Sequence, residues 1–371
     1  MIPYILLMFV PLLFSFIMIS KHNGKYTLAL GSNHKVINNS FLVPTFFFIL
    51  LIILCIRDES IGRDLVNYKY YFESISVLRL DELFNYELDF LFVLLNWIIS
   101  RFTDNYQIYL SIVALITVLP VGILYSQDRE HGFLKIVLFM NMSTFVMLFS
   151  GLRQSIAIAM GLIAYEFVKR KKISLYILFA VIAWGFHHTA FMIFLYYPLY
   201  HITFKKKHLF FIVPSLLLVF VFNKPIFTSI TNLLSVFGNE KYSLSISNTG
   251  AYTMLLLFVG FAVLSYAIPD EKALDKETLG LRNFMLLAVV LQCFAPIHML
   301  AMRMNYYFII FIPVLMPKIL KHPKGISNAS VLFIKSALVV FFVGYYLYTT
   351  YISCKTGVSA LDTYPYIPFW K

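Results

Sequence analysis

A chain of 371 residues that is 60% hydrophobic, 18% aromatic and only 13% charged, with a mean hydropathy of +0.80, carries far more apolar surface than a water-soluble domain needs for its core. The formal net charge of +12 does not point to nucleic acid, because Lys and Arg gather in short runs between apolar segments, most clearly Lys169–Arg170–Lys171–Lys172 and Lys205–Lys206–Lys207. Cys55, Cys293 and Cys354 are scattered, which excludes a disulfide framework and a cysteine-based zinc spacing.

Taken in order, apolar runs cover 2–19, 41–56, 88–100, 106–125, 133–149, 154–168, 173–186, 189–203, 209–222, 251–268, 283–300, 303–320 and 331–350. The first has no charged segment ahead of it and reads as a retained helix rather than a cleaved signal peptide. A hydrocarbon core about 30 Å thick asks for about 20 residues per helix, and most of these runs qualify with modest extension. The expectation is therefore an all-α polytopic integral membrane protein of roughly 12 transmembrane helices. No repeat or Pro/Gly/Ser linker divides it, so residues 1–371 read as a single transmembrane domain.

Basic runs give the sidedness. With Lys169–Lys172 and Lys205–Lys207 cytoplasmic, the hairpin between them turns outside at Phe186–His187–His188–Thr189, and Arg153, one span back, is also external. Loop 223–250 is then outward, because Lys224 and Lys241 are separated and Glu240 offsets them; Arg303 follows outside and Lys318–Lys324 inside. Lys21, Lys25 and Lys35 make loop 20–40 cytoplasmic and loop 57–87 outward. Four crossings from there to Lys169 would contradict this, so one segment fails to cross. Leu88–Ser100, short and carrying Asp89 and Asn96, is the segment expected to be re-entrant.

Gly151–Leu152–Arg153–Gln154 is the chemical focus. Arginine at the centre of a membrane helix costs at least about 2.5–3.5 kcal/mol, so a guanidinium between two apolar runs wants a reason, and gripping a phosphorylated lipid is one. Loop 57–87 mixes Arg57, Glu59, Asp64 and Tyr68, the set suited to sugar handling: carboxylates to take a hydroxyl proton, aromatics to stack on rings and arginines to hold phosphate. An ordinary solvated loop has the same composition. His187 and His188 read either as a helix terminus or as imidazoles near an anion, and Arg303 as a snorkelling or a phosphate-binding residue. No Glu or Cys stands at ligand spacing from either histidine, so no metal is expected.

The order Arg57, Gly62-x-Asp64-x-x-x-Tyr68, Glu87-x-x-Phe90, Leu152–Arg153–Gln154-x-x-Ala157, Phe186–His187-x-Thr189–Ala190, Arg303-x-x-x-Tyr307–Phe308 and a Tyr-Pro-Tyr tail resembles the EpsG-like branch of the Wzy-type polysaccharide polymerases. Arg63 and Asp89 depart from that pattern, which has a small hydroxyl residue and a glycine there. The resemblance implies a GT-C-like membrane glycosyltransferase of the bacterial inner membrane with its site facing the periplasm or exterior. Its reaction would move a growing glycan from undecaprenyl pyrophosphate to a new lipid-linked repeat unit, in O-antigen, capsule or exopolysaccharide synthesis. Arg153, Arg303 and Arg57 would meet the pyrophosphate; Asp64, then His187, then Glu59 are candidate bases; Tyr68, Gln154, His188 and Tyr307 would meet sugar. No cofactor is implied, and a chain-length regulator and a flippase are the implied partners. A ligase with another acceptor and a lipid-linked oligosaccharide flippase are the other readings open at this point.

Overall fold

The computed structural model describes residues 2–16, 18–22, 25–29, 41–128, 131–235 and 250–371. Lys35, Glu240 and Lys241, used above for sidedness, lie outside the described residues. In chain order the helices are α1 (Ile2–Phe16), α2 (Leu42–Cys55), α3 (Leu65–Ser76), α4 (Phe90–Ser100), α5 (Tyr106–Ser126), α6 (Gly132–Met140), α7 (Ser143–Ser150), α8 (Leu152–Lys169) and α9 (Ile173–Phe186). They continue as α10 (Tyr196–His201), α11 (Leu209–Val221), α12 (Asn223–Ser235), α13 (Gly250–Ala267), α14 (Lys276–Phe294), α15 (Met299–Ile309), α16 (Ile312–Ile319) and α17 (Asn328–Thr356). Among the described residues one antiparallel hairpin, β1 (Met18–His22) with β2 (Lys25–Ala29), pairs Met18 with Ala29 between the helices.

Among the described residues three helices, α5, α14 and α17, are long and apolar enough to cross a membrane. The bent pairs α6–α7 (63°), α11–α12 (78°) and α15–α16 (48°) raise that to six if each is one span. The supported architecture is thus a helical membrane protein with three to six clear apolar spans among the described residues, and the expectation of roughly twelve rests on run length alone. Apolar composition cannot show where a helix breaks. At the first break Asn141 turns its amide to the carbonyls of Val137 (2.8 Å) and Phe342 (3.1 Å). Likewise, expected loop 57–87 contains α3, and expected loop 223–250 begins with α12.

The chain forms two compact units. The first holds Met1–Phe167, Lys172–Phe191 and Leu332–Lys371; the second holds Val168–Lys171 and Met192–Val331. In the first unit, α4 has 11 residues and a length of about 16 Å, half a bilayer core. The Gln107 side-chain amide in the first turn of α5 donates to the carbonyls of Cys55 and of Arg57 (3.2 Å to the latter), and the Tyr106 hydroxyl donates to the Leu65 carbonyl at 2.7 Å. Helix α5 therefore begins where α2 ends. The tail closes the same end: Arg57 and Pro368 form an antiparallel bridge, and the Phe369 amide donates to the Ile56 carbonyl at 3.0 Å.

In the second unit α14 is the central post, and several of its polar side chains donate to backbone carbonyls, since hydrocarbon offers no acceptor. Arg282 donates to the Phe204 carbonyl (2.7 Å) and lies 4.0 Å over the Tyr266 ring; Asn283 donates to the carbonyls of Leu199 and Ile202, both at 2.7 Å. Gln292 donates to the Ala251 carbonyl at 3.0 Å and accepts from Asn305 at 3.0 Å. The helix starts at Lys276, seven residues before the apolar run, because Asp275 caps it by accepting from the Thr278 amide at 2.7 Å.

Candidate functional site

The α7–α8 junction and the turn ahead of α3 are built against each other. Gly62 has φ +126°, and a Cβ there would fall 2.0 Å from the Phe149 carbonyl oxygen, so only glycine lets this turn reach the end of α7. The turn then delivers Asp64 to Ser150. The Ser150 hydroxyl donates to Asp64 Oδ2 at 2.9 Å, and the Asp64 amide donates to Ser150 Oγ at 3.3 Å. Three residues on, Arg153 leaves the first turn of α8 beside Tyr68, one turn into α3.

A second close approach supplies the counter-charge. A Cβ on Gly185 of α9 would lie 2.6 Å from Leu91 Cδ1, so this glycine lets α4 press against α9. Asp89, just ahead of α4, is thereby brought to the end of α9. Its Oδ2 accepts from Arg153 Nη1 at 3.0 Å and lies 4.0 Å from His187 Nδ1, while Oδ1 lies 3.9 Å from His188 Nδ1. The two imidazoles meet edge to face with centroids 4.7 Å apart. Arg153 also sits 6.0 Å over the Phe92 ring.

Exposure grades this cluster from inside to outside. The side chains of His187, Asp89, Arg153 and His188 are 5%, 16%, 27% and 51% exposed. Arg153 Nε is buried without a hydrogen-bond partner among the described residues, so one donor of the fork is held in reserve. Burial raises the Asp89 carboxyl above the ordinary carboxylate range, although Arg153 and His188 pull it the other way. Burial likewise raises Tyr68, opposed by Arg153, so its phenol stays protonated at neutral pH.

The expected site residues divide. Asp64, Tyr68, Arg153, His187 and His188 converge within the first unit. Gln154, on the next step of α8, is buried. Glu59 is held by Lys69 at 2.7 Å on the loop surface. Arg57 is only 1% exposed; Nη1 donates to the Leu148 carbonyl at 3.1 Å and the group lies 5.8 Å over the Phe149 ring. Its guanidinium faces the wall behind the Ser150–Arg153 junction, and burial lowers its pKa to about 10, which leaves it charged at neutral pH. Arg303 and Tyr307 are in the second unit, Arg303 exposed and Tyr307 buried with its carbonyl accepting from the Tyr196 hydroxyl at 2.6 Å.

Asp89 is the residue that sequence reasoning passed over as a bare departure from a glycine pattern. Its burial signal was weak, since it opens a short apolar run in a segment rich in acids. It also alters the expectation about metal: ligand atoms of Asp89, His187 and His188 all lie within 4.8 Å of one another, the carboxylate arriving from α4 rather than from any local spacing.

Chemically, the cluster offers a guanidinium steadied from one side by a carboxylate, with an exposed imidazole and a second carboxylate, Asp64, nearby. Such a group binds an anion in a bidentate manner. No curated protein and no solved structure matches the chain. The model of the EpsG family matches residues 40–368, most of the length and all of the motifs from Arg57 to the tail; the chain belongs to the EpsG family.

Proposed function

We propose that this protein is the membrane polymerase that transfers a growing glycan from undecaprenyl pyrophosphate to the non-reducing end of a new lipid-linked repeat unit, on the outer face of a bacterial inner membrane. Family membership suggests a polysaccharide polymerase. The single observation that supports the finer reading is Arg153, clamped by Asp89 at 3.0 Å with its Nε still unpartnered among the described residues.

In this reading the acceptor hydroxyl oxygen attacks the anomeric carbon, the bond from that carbon to the pyrophosphate oxygen breaks, and the configuration inverts. Arg153 neutralises the charge that develops on the departing pyrophosphate. Asp64 takes the hydroxyl proton: Oδ2 is engaged by Ser150, which aims the carboxylate and leaves Oδ1 for the acceptor. Tyr68 keeps Arg153 in place and His188, the most exposed member, meets sugar hydroxyls. Arg57 acts as a brace behind the α7–α8 junction, and Glu59 has no part in the chemistry. The reading rests on first-unit residues alone.

The test is the glycan profile of a strain lacking this chain. Single lipid-linked repeat units should accumulate and polymer should vanish. Accumulation of long lipid-linked chains would instead mean transfer to another acceptor. Purified protein in detergent, supplied with lipid-linked repeat units, should still make polymer; failure there with activity in vesicles would favour transport.

A further inference from the structure

We propose that Asp89, His187 and His188 form a binding site for one divalent cation of the Zn²⁺ and Co²⁺ type. One carboxylate oxygen and two imidazole nitrogens are a donor set that suits these borderline ions better than Mg²⁺ or Ca²⁺, which prefer oxygen alone. The donors come from two elements, Asp89 ahead of α4 and the histidines at the end of α9, and Gly185 is what allows those elements to touch.

The geometry is close to what an ion requires. Metal bonds of about 2.0–2.2 Å in a tetrahedron set ligand atoms roughly 3.3 Å apart. Asp89 Oδ1 lies 3.9 Å from His188 Nδ1 and Oδ2 lies 4.0 Å from His187 Nδ1, and with one ligand atom from each residue all three lie within 4.8 Å of one another, so the groups need to close by up to about 1.5 Å around an ion with those bond lengths. The His188 ring is half exposed and meets His187 edge to face, so the closing movement is one of the two imidazoles together. Asp89, held by Arg153, supplies the fixed side of the site.

Arg153 is the evident objection, since a cation already touches Asp89. It binds Oδ2, however, whereas Oδ1 is the oxygen that faces His188. A ligating carboxylate whose second oxygen is fixed by a hydrogen bond is the usual outer-shell arrangement around a metal. Three protein ligands leave a fourth position open beside Arg153. Filling that position with a phosphate oxygen of the donor rests on the polymerase reading; the binding of the ion does not.

The experiment uses the full chain in detergent, stripped with a chelator, and titrated with Zn²⁺ in competition with a chromophoric indicator. One ion per chain is expected, with affinity falling at least tenfold in Asp89→Asn and in His188→Ala. Co²⁺ should give the intense visible bands of a four-coordinate site, and His188→Cys should keep the ion and add a thiolate charge-transfer band. Because His188 is half exposed, its variants should elute as folded protein on size exclusion and carry the decision even where Asp89→Asn does not. Absence of a bound ion in the native chain, or equal binding in native protein and His188→Ala, overturns the proposal. No lipid or sugar enters the measurement, so its outcome is separate from that of the polymerase assay.

Discussion

The cost of placing a guanidinium between apolar runs singles out Arg153 in the sequence and asks for an anion, but Asp89, the partner the structure gives it, was not legible there. Asp89 precedes a short apolar run and meets Arg153 through a helix contact that no local pattern announces. The pairing sharpens what substitution should do. A lysine at 153 keeps the charge yet offers a point donor where the guanidinium holds Asp89 through Nη1 and keeps an unpartnered Nε among the described residues. Arg153→Lys should therefore lower polymer synthesis at least tenfold, and Arg153→Ala by about 10²–10³, the range for loss of one charge-stabilising donor. Initial rates of chain extension at matched membrane levels measure this. Full activity in Arg153→Lys would remove the bidentate role. Asp64→Asn should be as damaging as Arg153→Ala, whereas Glu59→Gln, whose carboxylate is occupied by Lys69, should leave the rate near native.

Elements were read well where one apolar run is one helix, as at α5, and poorly where capping or a bend decides the ends. Polar Lys276–Arg282 hid the start of α14, although Asp275 followed by Thr278 is the mark of a cap. That cap gives a testable quantity. Partial burial pushes the Asp275 carboxyl up, but the Thr278 hydrogen bonds and Lys318, 3.3 Å away, outweigh it and leave it below its ordinary value. A carboxylate depressed in the folded state adds stability above its unfolded pKa of about 3.9 and loses it as pH falls through the folded value. Thermal unfolding in detergent should accordingly show a loss below about pH 4 that shrinks in Asp275→Asn. At neutral pH, Asp275→Ala should cost about 1 kcal/mol and Asp275→Asn less, since asparagine still caps. The turn ahead of α3 is more brittle. Gly62→Ala sets a Cβ against the Phe149 carbonyl in a backbone region that costs other residues about 1–3 kcal/mol, so it should lower both the melting temperature and polymer yield.

At the scale of the whole molecule, the membrane class followed from composition and the family from an ordered set of weak motifs, while run length, blind to the bends in α6–α7, α11–α12 and α15–α16, does not by itself fix the number of spans. Sidedness was argued from basic clusters, and one step of that argument can be checked against the short helix α4. If segment 88–105 returns the chain to its starting side, α5 is the next crossing and Gln127 emerges on the same side as Lys207. If α4 crosses, Gln127 emerges on the side of Ser60. The return of Gln107 to the Cys55 and Arg57 carbonyls favours the first alternative. Single cysteines at Ser60, Gln127 and Lys207, in a chain whose Cys55, Cys293 and Cys354 have been replaced by alanine, distinguish them. A membrane-impermeant maleimide applied to intact spheroplasts should label Ser60→Cys at once and leave Gln127→Cys and Lys207→Cys silent until the membrane is opened. Labelling of Gln127→Cys from outside would mean that α4 crosses, and labelling of Lys207→Cys would invert the orientation and with it the outward position of Arg153.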